Sequence, residues 1–368
     1  MKRFLMLFFV LAITIAGLFL YNYKAETHGL LEPTGPYAIG TCVYHLVDKN
    51  RPEPHAKGTG AHRELMVQVW YPAEKNDLSK TPYIASEDIK KMVRNDLKEV
   101  FKAQDSELVF LDILKTHASE DAPIATTKSN YPVIIFSPGN GAPINIYSVF
   151  IEELASHGYV VFGINYPYLS SPVVFPGGRI IKKMPMEKLK QIWGVSTDDE
   201  VATHEQKLWA ADIQFVLDKL ADINAGDPNN ILRGKLDLNH IGLAGHSFGG
   251  GSSIQACALD VRCKAAANID GRFSYNADFD HGFNKPTLFI RNAYHKRDKK
   301  DQLLEQLKKM QYPAEYHEIP KMLHSSFSDI MLFITEPDPK KRSVDVLAGL
   351  QKTRKLVVNF FKTHLSGL

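Results

Sequence analysis

Hydrophobic and polar positions alternate along the chain in two different rhythms. Runs rich in β-branched and aromatic residues predict strands at Tyr37–Val43, Leu65–Tyr71, Val133–Phe136 and Val160–Ile164. Further strands are expected at His240–Ala244, Ala265–Ile269, Thr287–Ile290 and Glu315–Ile319. Between several of them, apolar residues recur at helical spacing over Ile146–Ala155, Val201–Ala221, Phe248–Leu259, Gln302–Met310 and Val344–Thr363. Two early strands followed by strand–helix alternation predict an α/β chain with a doubly wound, mostly parallel sheet. Two stretches break the alternation. Ser86–Thr116 reads as a pair of amphipathic helical segments. Pro167–Thr197 is rich in Pro and Gly and then carries Met184, Met186, Leu189, Ile192 and Trp193. Both are expected either to cap the ligand end of the sheet or to be surface excursions.

The first residues follow neither rhythm. Lys2 and Arg3 precede an uncharged apolar run from Phe4 to Leu20, with Tyr21-Asn22-Tyr23-Lys24 behind it. A basic start before an apolar segment is an export signal, and this run is near the lower limit for spanning a bilayer. No Ala-x-Ala site follows. The expectation is an N-terminal unit over residues 1–28, a retained membrane anchor or a cleaved signal, and a catalytic body over 29–368. The body would then lie outside the cytoplasm, periplasmic in a bacterium.

Composition narrows the function. Over 368 residues the hydrophobic content is 44% and the charged content 23%, enough for a large core. The formal net charge is only +3, and no basic stripe is interleaved with aromatics, so nucleic acid is not an expected partner. The run His295-Lys296-Arg297-Asp298-Lys299-Lys300 reads as a solvated loop. Cys42, Cys257 and Cys263 have no metal-ligand spacing. An exported body would permit a Cys257–Cys263 disulfide, with two free buried thiols as the alternative.

The chemistry concentrates at Gly245-His246-Ser247-Phe248-Gly249. This Gly-x-Ser-x-Gly run follows the apolar Ile241–Ala244 and precedes Gly250, Gly251 and a helical pattern, the strand–turn–helix context of a nucleophile elbow in α/β hydrolases. Ser247 is therefore the expected nucleophile, at a helix N-terminus that favours developing negative charge. A serine hydroxyl needs a base, itself oriented by an acid, and in this fold the acid precedes the histidine. Asp270 ends a predicted strand and is the expected acid, with Asp298 after the following strand as the alternative. His324, after the last strand, is the expected base, ahead of His317 within that strand, His281 close behind the acid and His204 before the serine. The oxyanion hole is expected from the backbone N–H groups of Phe248 and of Asn140, in the loop Ser137-Pro138-Gly139-Asn140-Gly141.

In these segments the chain resembles the platelet-activating factor acetylhydrolase family. Gly35-Pro36-Tyr37, Trp70-Tyr71-Pro72, Tyr131–Ser137, Leu154-Ala155-Ser156-His157-Gly158-Tyr159, Gly245–Gly250, Asp270 and His324 with Phe327 occur in the family's order. The resemblance runs from about Gly35 to the C-terminal region. It implies Ser247, Asp270 and His324 as triad, with Asn140 and Phe248 as oxyanion donors. It also implies no metal or organic cofactor, and short or oxidised sn-2 acyl esters of phospholipids as substrates. Pro138 stands where the family has histidine, and Pro167–Thr197 matches poorly, so a general short-chain carboxylesterase or a peptidase-like hydrolase stays open. A different class, an inactive binding module, would be expected to have lost a triad residue.

Overall fold

The computed structural model describes residues 29–56, 58–170, 172–272, 284–293, 297–308, 312, 314–334 and 345–365. The N-terminal segment 1–28 and His281 lie outside them. Among the described residues, no helix is long and apolar enough to cross a membrane.

The strands are β1 (Ala38–Pro52), β2 (His62–Ala73), β3 (Lys80–Pro82), β4 (Lys115–Glu120), β5 (Tyr131–Ser137), β6 (Val160–Asn165), β7 (Val173–Val174), β8 (Ile180–Ile181), β9 (Leu236–His246), β10 (Cys263–Ile269), β11 (Thr287–Asn292) and β12 (Ala314–Ile319). Ten of them form one sheet in the order β12-β11-β10-β9-β5-β6-β2-β1-β4-β3, and β7 and β8 make a separate hairpin. From β12 to β6 every pairing is parallel. β2 then joins β6 antiparallel and pairs antiparallel with β1.

The helices are α1 (Glu87–Phe101), α2 (Phe110–Ile113), α3 (Ser148–Ser156), α4 (Met186–Trp193), α5 (Asp198–Gly226), α6 (Ser247–Leu259), α7 (Arg297–Lys308) and α8 (Val346–His364). Central strands are buried on both faces, so their sequences are nearly continuous apolar runs. In β5, Ile134 and Phe136 pack into one core with Phe150, Leu154 and Phe361 of α3 and α8. The alternate residues Val133 and Ile135 pack into a second core with Trp209, Val216 and Ile254 of α5 and α6. This is the α/β-hydrolase architecture, with parallel strand ends gathered at one edge.

All eight predicted strands and five predicted helices are present. β3 and β4 were not expected: Lys115-Thr116-His117-Ala118-Ser119-Glu120 has little apolar content, and it is held as a strand by pairing with β1 through Ile39↔Ala118. The His295–Lys300 run is corrected from a loop, because α7 already begins at Arg297. Cys257 and Cys263 form a disulfide that ties α6 to β10, and Cys42 is free and buried.

Candidate active site

Ser247 stands where β9 turns into α6, with a φ of +54° in the left-handed region that side chains other than glycine rarely occupy. The two motif glycines make that turn sterically possible. A Cβ at Gly245 would overlap the backbone of Gly249, and one at Gly249 would overlap the carbonyls of Ser137 and Pro138. Strand β5, helix α6 and the turn thus approach more closely than any side chain allows, and Ser247 is pushed out at the sheet edge.

The partners come from the neighbouring strand ends. His324 opens a 3-10 turn, His324–Phe327, after β12, and its imidazole is half exposed. Its Nε2 lies 2.8 Å from Ser247 Oγ, and its Nδ1 lies 2.6 Å from Asp270 Oδ2. Asp270 follows β10 with its carboxylate fully buried. Asn292 at the end of β11 holds that carboxylate twice, donating from its backbone N–H to Oδ1 at 2.9 Å and from Nδ2 to Oδ2 at 2.6 Å. With two acceptor-only oxygens fixed by donors, Asp270 can only accept from His324 Nδ1–H, which leaves Nε2 as the acceptor for the serine hydroxyl.

The loop after β5 presents its amides selectively. Gly139 N–H donates to Tyr147 Oη, Gly141 N–H to Leu169 O and Ala142 N–H to Gly139 O, whereas Asn140 N–H has no acceptor among the described residues. Phe248 is the second residue of α6, so its N–H belongs to the four donors that a helix start leaves unmatched. The Pro167–Thr197 insertion reaches this loop. Leu169 accepts from Gly141 at 2.9 Å, and the Lys183 ammonium lies against Gly141. Asp96 of α1 is close enough to Lys183 to feel its charge, although burial still raises its carboxyl above the usual range.

The other candidate residues are elsewhere. His204 stacks on Trp193, and His317 in β12 pairs with Glu315. Asp298 lies in the first turn of α7, and its side chain is outside the described set. Three site residues escaped the sequence reading. Asn292 gave no signal beyond its place at a strand end. Tyr147 looked like part of an apolar helical pattern. His246 was read only as the variable position of the motif, but it is buried and lies with its ring 4.7 Å from His324. Burial, and after it the nearby His324, pushes the His246 imidazole down to about 3, so it is neutral at working pH. Ligand atoms of His246, Asp270 and His324 come within 4.8 Å of one another, a composition that could hold a metal. Both nitrogens of each histidine, however, are already in hydrogen bonds.

The chain is similar to several known proteins. A ferulic acid esterase from Streptomyces cinnamoneus superposes with a TM-score of 0.74 at 28% identity, covering 93% of this chain and 94% of that one. The platelet-activating factor acetylhydrolase of Canis lupus familiaris is 24% identical over 355 residues, 90% of this chain and 76% of its own length. That of Cavia porcellus is 25% identical over 285 residues, and the match spans only 64% of its length. A probable 1-alkyl-2-acetylglycerophosphocholine esterase of Arthroderma benhamiae is 25% identical over 92% of this chain and 88% of its own. The profile of the family described as platelet-activating factor acetylhydrolase, isoform II, matches residues 24–366. The chain belongs to that family, carboxylic ester hydrolases on the α/β-hydrolase fold.

Proposed function

We propose that this protein cleaves carboxylic esters through an acyl-serine intermediate on Ser247. The observation that carries the reading is the unbroken line Ser247 Oγ–His324 Nε2, His324 Nδ1–Asp270 Oδ2, at 2.8 and 2.6 Å. As the Ser247 oxygen bonds to the ester carbonyl carbon, its proton passes to His324 Nε2 and the buried Asp270 carboxylate stabilises the imidazolium. Negative charge builds on the carbonyl oxygen, where the N–H groups of Asn140 and Phe248 receive it. The tetrahedral adduct then expels the alcohol, which takes the proton from His324. Water repeats the sequence on the acyl-enzyme and releases the acid.

The substrate class we propose is a short acyl ester of the sn-2 acetyl phospholipid type, the chemistry named for the Arthroderma relative. The insertions Ser86–Thr116 and Pro167–Thr197 serve as its cap, a role supported by Leu169 and Lys183 at the loop after β5 and by the electrostatic link from Asp96 to Lys183. The Phe4–Leu20 run would hold or deliver the body outside the cytoplasm, at a membrane surface. A second reading, a carboxylesterase for small soluble esters, is favoured by the 28% identity to a ferulic acid esterase.

A fluorophosphonate probe and p-nitrophenyl esters test the mechanism. Wild type should be labelled at Ser247 and turn over acetyl esters, and Ser247→Ala should do neither while keeping its melting temperature. Labelling of another serine, or full turnover by the variant, refutes the assignment. A short-chain phosphatidylcholine against feruloyl esters separates the two substrate readings.

A further inference from the structure

We propose that Tyr147 and His246 are positioning residues that lock the oxyanion loop to the backbone of His324. This rests on the serine-esterase reading above. Gly139 N–H lies 3.1 Å from Tyr147 Oη, Tyr147 Oη lies 2.9 Å from His246 Nδ1, and His246 Nε2 lies 3.1 Å from the carbonyl oxygen of His324. The two ends fix the polarity of this chain. A backbone N–H can only donate and a carbonyl can only accept. Tyr147 Oη therefore accepts from Gly139 and donates to His246 Nδ1, and His246 donates from Nε2 to His324. Only the neutral Nε2–H tautomer of His246 satisfies every atom.

Both side chains are buried, Tyr147 at 2% and His246 at 5% exposure; the Tyr147 hydroxyl both accepts and donates, and both ring nitrogens of His246 are used. Phe327 closes the other side, with ring centroids 6.0 Å from His246. This run of hydrogen bonds does not include Ser247 Oγ. One end holds the residue next to Asn140, the proposed oxyanion donor, and the other holds the backbone of the proposed base. Two groups that must act on one tetrahedral adduct, delivered by loops 184 positions apart (from 140 to 324), are thereby kept at one spacing. Neither Tyr147 nor His246 hydrogen-bonds to Ser247 Oγ or to the His324 ring. Their effect on rate comes from keeping the donor and the base in register, where a displacement of about 1 Å can cost about 100-fold.

The variants are Tyr147→Phe, which keeps the ring, and His246→Gln, which keeps a side-chain N–H for the His324 carbonyl but no acceptor placed for Tyr147. Both break the same link, so kcat per active site, titrated with a p-nitrophenyl organophosphate, should fall by about 10- to 100-fold in each. KM should stay within about threefold, and the double variant should fall no further than the worse single one, as expected for groups acting as a unit. His246→Leu, which also loses the bond to His324, should fall below His246→Gln. If Tyr147→Phe keeps kcat per titrated site within about threefold of wild type, or if the double variant's losses multiply, the positioning role is wrong and the residues serve the fold alone. Loss seen only as fewer titratable sites or a lower melting temperature leads to the same rejection. Failure of the underlying reading looks different: Ser247→Ala would then retain turnover.

Discussion

Replacing Asp270 by Asn tests the acid in a way the geometry makes quantitative. Asp270 faces donors on both oxygens: Asn292 N–H at Oδ1, and His324 Nδ1–H with Asn292 Nδ2 at Oδ2. An amide brings one NH2 group, and either orientation sets it against a donor. With NH2 at the Oδ2 position, His324 must turn its unprotonated nitrogen toward residue 270 and present N–H to Ser247, which removes the base. With NH2 at the Oδ1 position the tautomer survives, but the charge opposite the developing imidazolium is gone. Two unit charges 2.6 Å apart interact by about 6 kcal/mol at an effective dielectric of 20. The His324 side chain is 52% exposed, and water screening reduces this to roughly 4–5 kcal/mol. That is a fall of about 10³- to 10⁴-fold in kcat/KM. Initial rates on p-nitrophenyl acetate, normalised to folded protein by circular dichroism, measure it, with Asp298→Asn as the control expected to match wild type. Asp270→Asn within tenfold of wild type, or an equal loss in Asp298→Asn, refutes the reasoning.

Other consequences follow from the same structure. In the folded protein His246 resists protonation down to about 3, whereas in the unfolded chain it protonates near 6.5. The unfolded state thus binds the extra proton, and stability should fall as pH drops from 6.5 toward 3. The contribution is on the order of 4 kcal/mol in urea unfolding and should be absent in His246→Gln; equal pH profiles would show that burial does not govern this group. Opening the Cys257–Cys263 disulfide, whose partners are six residues apart, should cost only about 2 kcal/mol because the closed loop is short. Urea midpoints with and without reductant check this. For acyl length, kcat/KM on monomeric esters should peak from acetyl to hexanoyl and fall at least about tenfold at palmitoyl, since methylenes that do not fit bring strain. A profile that rises through long chains would favour a lipase.

What could be read from residues alone was what local rules encode. Ser247, the proposed nucleophile, was legible because an elbow needs glycine at two of five positions, and its proposed partners Asp270 and His324 because strand ends in a parallel sheet share one edge. The central strands were legible because burial on both faces makes them apolar throughout. β4 was not, since its conformation comes from pairing with β1 and not from its own residues. Asn292, Tyr147 and His246 were missed for a related reason. Each acts through hydrogen bonds that reach far along the chain, at separations of 22, 99 and 78 positions, and such bonds leave no periodicity.

The placement of the Pro167–Thr197 insertion follows the same logic at larger scale. Arg63 is fully buried and donates to Asp212 at 2.6 Å and to Glu53 at 2.9 Å. His55 sits between Glu53 and Glu205, 2.7 Å from each. Onto this cluster the insertion fastens at both ends: the Tyr168 ring stacks on His55 at 4.8 Å, and Trp193 Nε1 donates to Glu205 at 2.7 Å. Apolar packing alone tolerates sliding, whereas a buried ion network is satisfied only in one arrangement, because removing or shifting one member strands a charge. The segment between those fastenings includes Leu169, which accepts from Gly141 in the loop after β5, and Lys183, which lies against it. The cap we propose is therefore held in register with Asn140 by charges on β2, α5 and the turn between β1 and β2. Those charges come from five positions scattered between 53 and 212, so the apolar residues of the insertion suggest a cover for the site but cannot show what aligns it.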